Sequence, residues 1–287
     1  MPVPKSPDPA AAWRKTMPAS ATFRRAAEVS IATSIFRCVA ALAILIPFGS
    51  QNPSYAAEIR LLSAASIQEV FKEIIGDFER ASGHKMIIHY STMGAITDRM
   101  RSGEEADLVI SSAQSIATLV SEGRIEAASQ IRISKVGVGI VVPSGTAVPT
   151  TASVEDVSRA LLAAKTVVYA DPGRGGAAGI HIARVIQQLG IAEQVKPKTK
   201  LGAGGDVTEV TVTQGEGALG MTQISEIIGK PGAVFVGPLP EKLQNYTVFA
   251  AGIPTGATQR EAVSTFLDFL RSPVALATMK AKGMQVD

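Results

Sequence analysis

From Glu58 onward short apolar strands alternate with amphipathic helices, and the junctions between them are built from small and hydroxyl-bearing residues. The clearest junction is Leu61-Leu62-Ser63-Ala64-Ala65-Ser66-Ile67. Ile59 to Leu62 reads as a buried strand, and Ile67, Val70, Phe71, Ile74, Ile75 and Phe78 share one helical face. Ser66 stands at the N-cap position, and Glu69 three residues on completes a capping-box pattern. A strand that runs straight into a helix aims the unpaired N–H groups of the first turn at one spot. That spot favours an anion without any lysine or arginine.

The pattern continues. Met86 to Tyr90 reads as a second strand, and Ser91-Thr92-Met93-Gly94 leads into a helix through Ile96, Met100 and Arg101. Leu108 to Ile110 is a third strand, ended by Ser111-Ser112, with a helix through Ile116, Leu119 and Val120 behind it. This β-α-β-α-β-α order implies a mostly parallel sheet with helices on both faces. In such sheets ligands sit beyond the C-terminal strand ends, where Ser66, Thr92 and Ser111 all fall.

A second α/β lobe follows. Val136 to Val142 is an unusually apolar strand, and a helix runs through Val157, Leu161 and Leu162. Val167 to Ala170 is a strand followed by a glycine-rich loop, Asp171 to Gly179, which contains Arg174. Gly202 to Val207 opens another helix, and Ala218 to Met221 is a strand ended by Thr222-Gln223. A strand near Tyr246 to Ala251 returns the chain to the first lobe, which two C-terminal helices close. The expected lobes are residues 57–137 with 247–287, and 138–246, joined by a hinge of two crossing segments. There is no internal repeat.

Composition removes several functions. Six of the 28 Lys/Arg and two of the 25 Asp/Glu fall in residues 1–56, which leaves 22 basic against 23 acidic residues. A nearly neutral body argues against nucleic-acid binding. Residues 1–56 read as an export signal: Arg24, Arg25 and Arg37, then the apolar run Val39 to Ile46, then Ser54-Tyr55-Ala56 as a cleavage site. Arg24-Arg25 leaves Sec and Tat export both open. Cleavage after Ala56 removes the single cysteine, Cys38, and with it disulfides, thiol catalysis and Cys-based zinc sites. The glycine loops lack the Gly-Lys-Ser/Thr of a phosphate-binding loop. His84, His89 and His181 show no metal-ligand spacing, and a structural role is expected for His181. Glu104, Glu105 and Asp107 read as a solvated loop cluster. No Ser/His/Asp arrangement stands out, so no catalytic residue, cofactor or metal is expected.

Three segments, SAASIQEVFKEIIGDFERASG, EEADLVISSAQSIATLVSEGRI and FLDFLRSPVALATMKAKGM, resemble the periplasmic molybdate-binding proteins of ABC importers. The resemblance spans most of residues 58–287. It implies the type II solute-binding fold, two lobes that hold an oxyanion by hydroxyls and backbone N–H groups, and delivery by a monomer to an inner-membrane permease. On that resemblance Ser66 matches a ligand-binding serine, and Ala178 and Val207 match positions that donate backbone N–H. Met93 replaces a second binding serine, so Thr92 or Ser91 would serve instead. Gln223 replaces a tyrosine, and Arg174 is an addition. The implied ligand is molybdate- or tungstate-like. Arg174 raises the alternative of an organic or phosphorylated acid, which a guanidinium fork would match. An enzyme on the same bilobal fold is the third reading.

Overall fold

The computed structural model describes residues 56–286, so the expected leader lies outside them except for its last residue. In chain order the elements are β1 (Glu58–Ala64), α1 (Gln68–Ser82), β2 (Lys85–Ser91), α2 (Met93–Arg101), β3 (Leu108–Ser112), α3 (Ala113–Ser121) and β4 (Ile131–Val136). Then come β5 (Val138–Pro143), α4 (Val154–Ala163), β6 (Thr166–Ala170), α5 (Ala177–Gln188), α6 (Ala192–Val195), β7 (Thr199–Gly202), α7 (Val207–Gln214), β8 (Ala218–Gln223) and β9 (Ala233–Pro238). Finally β10 (Thr247–Gly252) precedes α8 (Arg260–Leu270) and α9 (Pro273–Ala281).

Two five-stranded sheets result, ordered β2-β1-β3-β10-β4 and β7-β6-β8-β5-β9. They are mixed, where the strand-helix order led us to expect mostly parallel sheets. β1 runs parallel to β2 and β3, with Leu61 opposite Ile88 and Leu108, but β10 is antiparallel to both β3 and β4. Likewise β6 is parallel to β7 and β8, while β5 is antiparallel to β8 and β9. Parallel pairing needs a crossover on the same sheet. β5 and β10 arrive from the other lobe and are free of that requirement.

The single strand expected over Val136 to Val142 is two strands broken at Gly137. There the Gln244 amide replaces a neighbouring strand. Its Oε1 accepts from Val138 N at 2.7 Å, and its Nε2 donates to Val138 O at 3.0 Å. A Cβ on Gly137 would lie 3.1 Å from that amide and would push on it.

Packing follows the apolar periodicity. Val70, Phe71, Ile74 and Phe78 of α1 are buried, and Phe78 meets Phe266 of α8 edge-on at 4.9 Å. Val157 and Leu161 of α4 join Val167, Ile182, Leu219 and Met221 in the second core, whereas Leu162 points to solvent. The acidic loop is solvated only in part. Glu104 pairs with Arg99 and Glu105 with Arg60, but Asp107 is buried and ties the first lobe together. Its carboxylate accepts from the backbone N–H groups of Arg60, Thr258 and Gln259. His181 is structural as expected, its Nε2 lying 2.8 Å from Leu243 O.

Candidate functional site

A small cavity of about 40 Å³ sits beyond the C-terminal ends of β1, β2, β6 and β8. Ser66 and Thr92 line it from the first lobe, and Ala178, Gln223 and Glu226 from the second. A wider groove of about 750 Å³ shares Ala65, Ser91, Thr92, Gly204 and Gly205 with it. Tyr90, Lys72, Arg174 and Lys230 line the groove alone. Burial, with a smaller contribution from Glu69, pushes the Tyr90 phenol up to about 12, so it keeps its proton at neutral pH.

The lobes touch across this site. Thr92 Oγ1 donates to Arg174 O at 2.6 Å, Gly94 N to Gly175 O at 3.2 Å, and Ser225 Oγ to Ser66 O at 2.6 Å. Lys230 bridges Glu69 of α1, at 3.0 Å, and Glu209 of α7. A Cβ built on either Gly94 or Gly175 would fall within about 3 Å of the other residue's backbone. The two glycines let the lobes approach to backbone contact.

Each expected ligand residue has a definite place. Ser66 is at the cavity but is not a helix cap. The chain enters α1 through a 3-10 turn, Ala65–Ile67, which moves the N-cap one residue on, to Ile67, and leaves Glu69 to pair with Lys72 and Lys230. Thr92 is both cavity wall and N-cap of α2, with Ala95 N donating to its hydroxyl at 3.3 Å. In this arrangement its one proton goes to the Arg174 carbonyl. Ala178 stands in the first turn of α5 at the cavity, and Met93, the expected departure, lines it too.

Ser111 and Val207 do not line the cavity. Ser111 is fully buried in β3 opposite Ala250, its hydroxyl without a hydrogen-bond partner, and Ser112 caps α3. Val207 opens α7 with its side chain packed against Val168 and Ala170, and Gly204 and Gly205 line the cavity in its place. Arg174 belongs to the outer groove and not to the inner cavity.

Glu226 was missed. It closes the 3-10 turn after β8 and is buried at the cavity wall. Its Oε2 is hydrogen-bonded to the Thr222 hydroxyl, and its backbone carbonyl accepts from Thr208 Oγ1 at 2.8 Å. Burial drives its carboxyl up to about 7. Bonds from Thr222 and the Gln223 N–H oppose that rise, Glu209 adds to it, and Lys230 offsets a little. A signal existed in the sequence: Glu226 is a lone acid among Ile224, Ile227 and Ile228, directly after the strand end at Gln223. Beside it Gln223 gives its Nε2 to Thr247 Oγ1 at 2.8 Å, and its Oε1 is buried without a partner. Among the described residues no group of His, Cys, Asp and Glu could hold a metal ion, and no helix is long and apolar enough to cross a membrane.

Comparison with known proteins agrees with this architecture. The chain is 25% identical over 246 residues to an aconitate isomerase of a Pseudomonas species, covering 82% of this chain and 92% of that one. It is 28% identical over 247 residues to the molybdate-binding protein ModA of Rhodobacter capsulatus, covering 85% and 94%. The periplasmic molybdate-binding protein of Azotobacter vinelandii shares the fold, with a TM-score of 0.66 at 17% identity over 80% of this chain and 99% of that one. Residues 59–285 match the family model described as bacterial extracellular solute-binding protein. This chain therefore belongs to the bacterial extracellular solute-binding proteins, as a divergent relative of their molybdate-binding members.

Proposed function

We propose that this chain is the exported capture component of an ABC importer. It closes its two lobes, residues 57–137 with 247–287 and residues 138–246, over one small anion and presents it to an inner-membrane permease. The observation that carries the reading is the inner cavity, whose wall comes from both lobes and which cross-lobe hydrogen bonds and the Lys230 bridge hold shut. Ser66 and the first-turn backbone at Ala178 offer polar groups to a compact acidic head. Any further substituent lies in the groove, where Arg174 suits a second anionic group. Relatives named for molybdate binding support an oxyanion.

Export and capture are tested on one sample. Protein purified from its own periplasm should begin at Ala57 and show one small bound mass in native mass spectrometry. Ser66→Ala should lose that mass. Protein that retains Met1 or Met17 in membrane fractions, or that never carries a ligand, overturns this function.

Glu226 favours a second reading. A buried carboxyl that titrates near neutrality at the wall of the inner cavity meets the requirement for moving a proton. It would take a proton from one carbon of an unsaturated acid and return it to another, with no net change in composition. The relative named aconitate isomerase supports this activity. Proton NMR of cis-aconitate incubated with the protein tests it. Appearance of the trans isomer that Glu226→Gln abolishes supports the reading, and an unchanged spectrum rejects it.

A further inference from the structure

A cage for a fully ionised anion is built from donors. This cavity is not, at one corner. Glu226 is 8% exposed and lines the cavity with a carboxyl already bonded to Thr222. The charged groups that face it are Glu209 on α7 and Lys230, and Lys230 is held between Glu209 and Glu69. No cation is therefore dedicated to Glu226. Gln223, in the same wall and 2% exposed, keeps an acceptor, Oε1, with no partner. Gln223 Oε1 is thus a buried acceptor in the same wall as the Glu226 carboxyl, and a hydrogen on the bound molecule would satisfy it.

We propose that the Glu226–Gln223 corner reads a hydrogen on the ligand, so that the site takes a small acid anion that keeps one O–H at neutral pH. The proposal rests on the capture function above and names its ligand class. The physical cause is charge and hydrogen bonding together. An ionised Glu226 repels an anion with no proton, such as sulfate or molybdate, but accepts a hydrogen bond from hydrogen phosphate or a hydroxy acid. A protonless anion enters only when Glu226 itself is protonated. Its affinity then falls about tenfold for each pH unit above the Glu226 pKa, because one proton must be taken up with it. A ligand that brings its own hydrogen escapes that dependence.

Calorimetry with two matched pairs tests this: phosphate against sulfate, and citrate against tricarballylate, which has the same three carboxylates without the hydroxyl. Molybdate is the fifth probe. At pH 8 the wild-type protein should prefer the O–H member of at least one pair by tenfold or more. Glu226→Gln should remove that preference and should raise sulfate or molybdate affinity at pH 8 by tenfold or more, since a neutral amide can donate. A merely structural role for Glu226 would weaken every probe alike, which overturns the proposal. No preference in either pair at pH 8, molybdate binding there as tightly as phosphate, or no binding of any probe, overturns it as well. The mass carried by protein from the periplasm is read independently, so capture can stand while this ligand class fails. A melting curve of Glu226→Gln confirms that the variant is folded.

Discussion

Burial makes the Glu226 carboxyl hold its proton more tightly in the folded chain than in the unfolded one, where its ordinary value is 4.5, against the opposing bonds from Thr222 and the Gln223 N–H. As pH rises from that value towards about 7, the unfolded chain ionises Glu226 freely and the folded chain resists. Folding stability is then lost with rising pH, by at most about 1.4 kcal/mol per unit for one proton, and levels off above the folded value. Glu226→Gln has no such proton. Urea unfolding at pH 5 and pH 8 should show the wild type losing more stability across that window than the variant. Equal losses would mean that Glu226 is ionised at no cost, and the polarity assigned to the cavity wall would be wrong.

Glycine separates the elements that tolerate a side chain from those that do not. Gly76 lies in the middle of α1, and its added Cβ would meet only the Arg80 guanidinium, the mobile end of a long side chain. Gly179 lies in the first turn of α5, where a Cβ would run into the backbone carbonyl of Ala170 at the end of β6. Gly76→Ala should raise stability by roughly 0.5–1 kcal/mol, because an exposed helix interior gains propensity. Gly179→Ala should lower it by about 1–3 kcal/mol through overpacking, and should weaken ligand binding because α5 must lift away from the cavity. Thermal melts of the two variants decide this; matching shifts would show that α5 and β6 can separate freely. The sequence marked Gly179 as part of a glycine-rich loop. Why that loop must be glycine became legible only when β6 and α5 were placed in contact.

For the whole molecule the relevant coordinate is the distance between lobes. Gly94 and Gly175 meet backbone to backbone, with Gly94 N donating to Gly175 O at 3.2 Å. Neither lobe needs this contact to fold. Gly94→Val therefore places a wedge at the mouth and shifts the population towards open lobes, since a ligand held between lobes favours closure only through contacts that closure makes. Small-angle scattering should show compaction of the wild type on adding a bound solute and no compaction of Gly94→Val, with melting temperatures close together. Compaction of both would place the closing contact elsewhere.

The order of strands and helices was written in the sequence, because apolar period and turn residues are local properties. Val70, Phe71, Ile74 and Phe78 announced the buried face of α1, and Ser91-Thr92 announced the start of α2. The strand ends carrying Ser66, Thr92 and Gln223 were legible for the same reason, and these residues do meet at one cavity. What only the tertiary structure decided is which side chains face that cavity. Ser111 has the same kind of position as Ser66 but is fully buried within the sheet, beside Ala250 of β10. Antiparallel strands arriving from the other lobe turned mostly parallel sheets into mixed ones. Glu226 acquires its chemistry from burial first, then from Thr222, Glu209 and Lys230, of which Glu209 approaches it only across the fold. Burial is a property of the packed whole, so a carboxyl's proton affinity cannot be read from its neighbours in sequence.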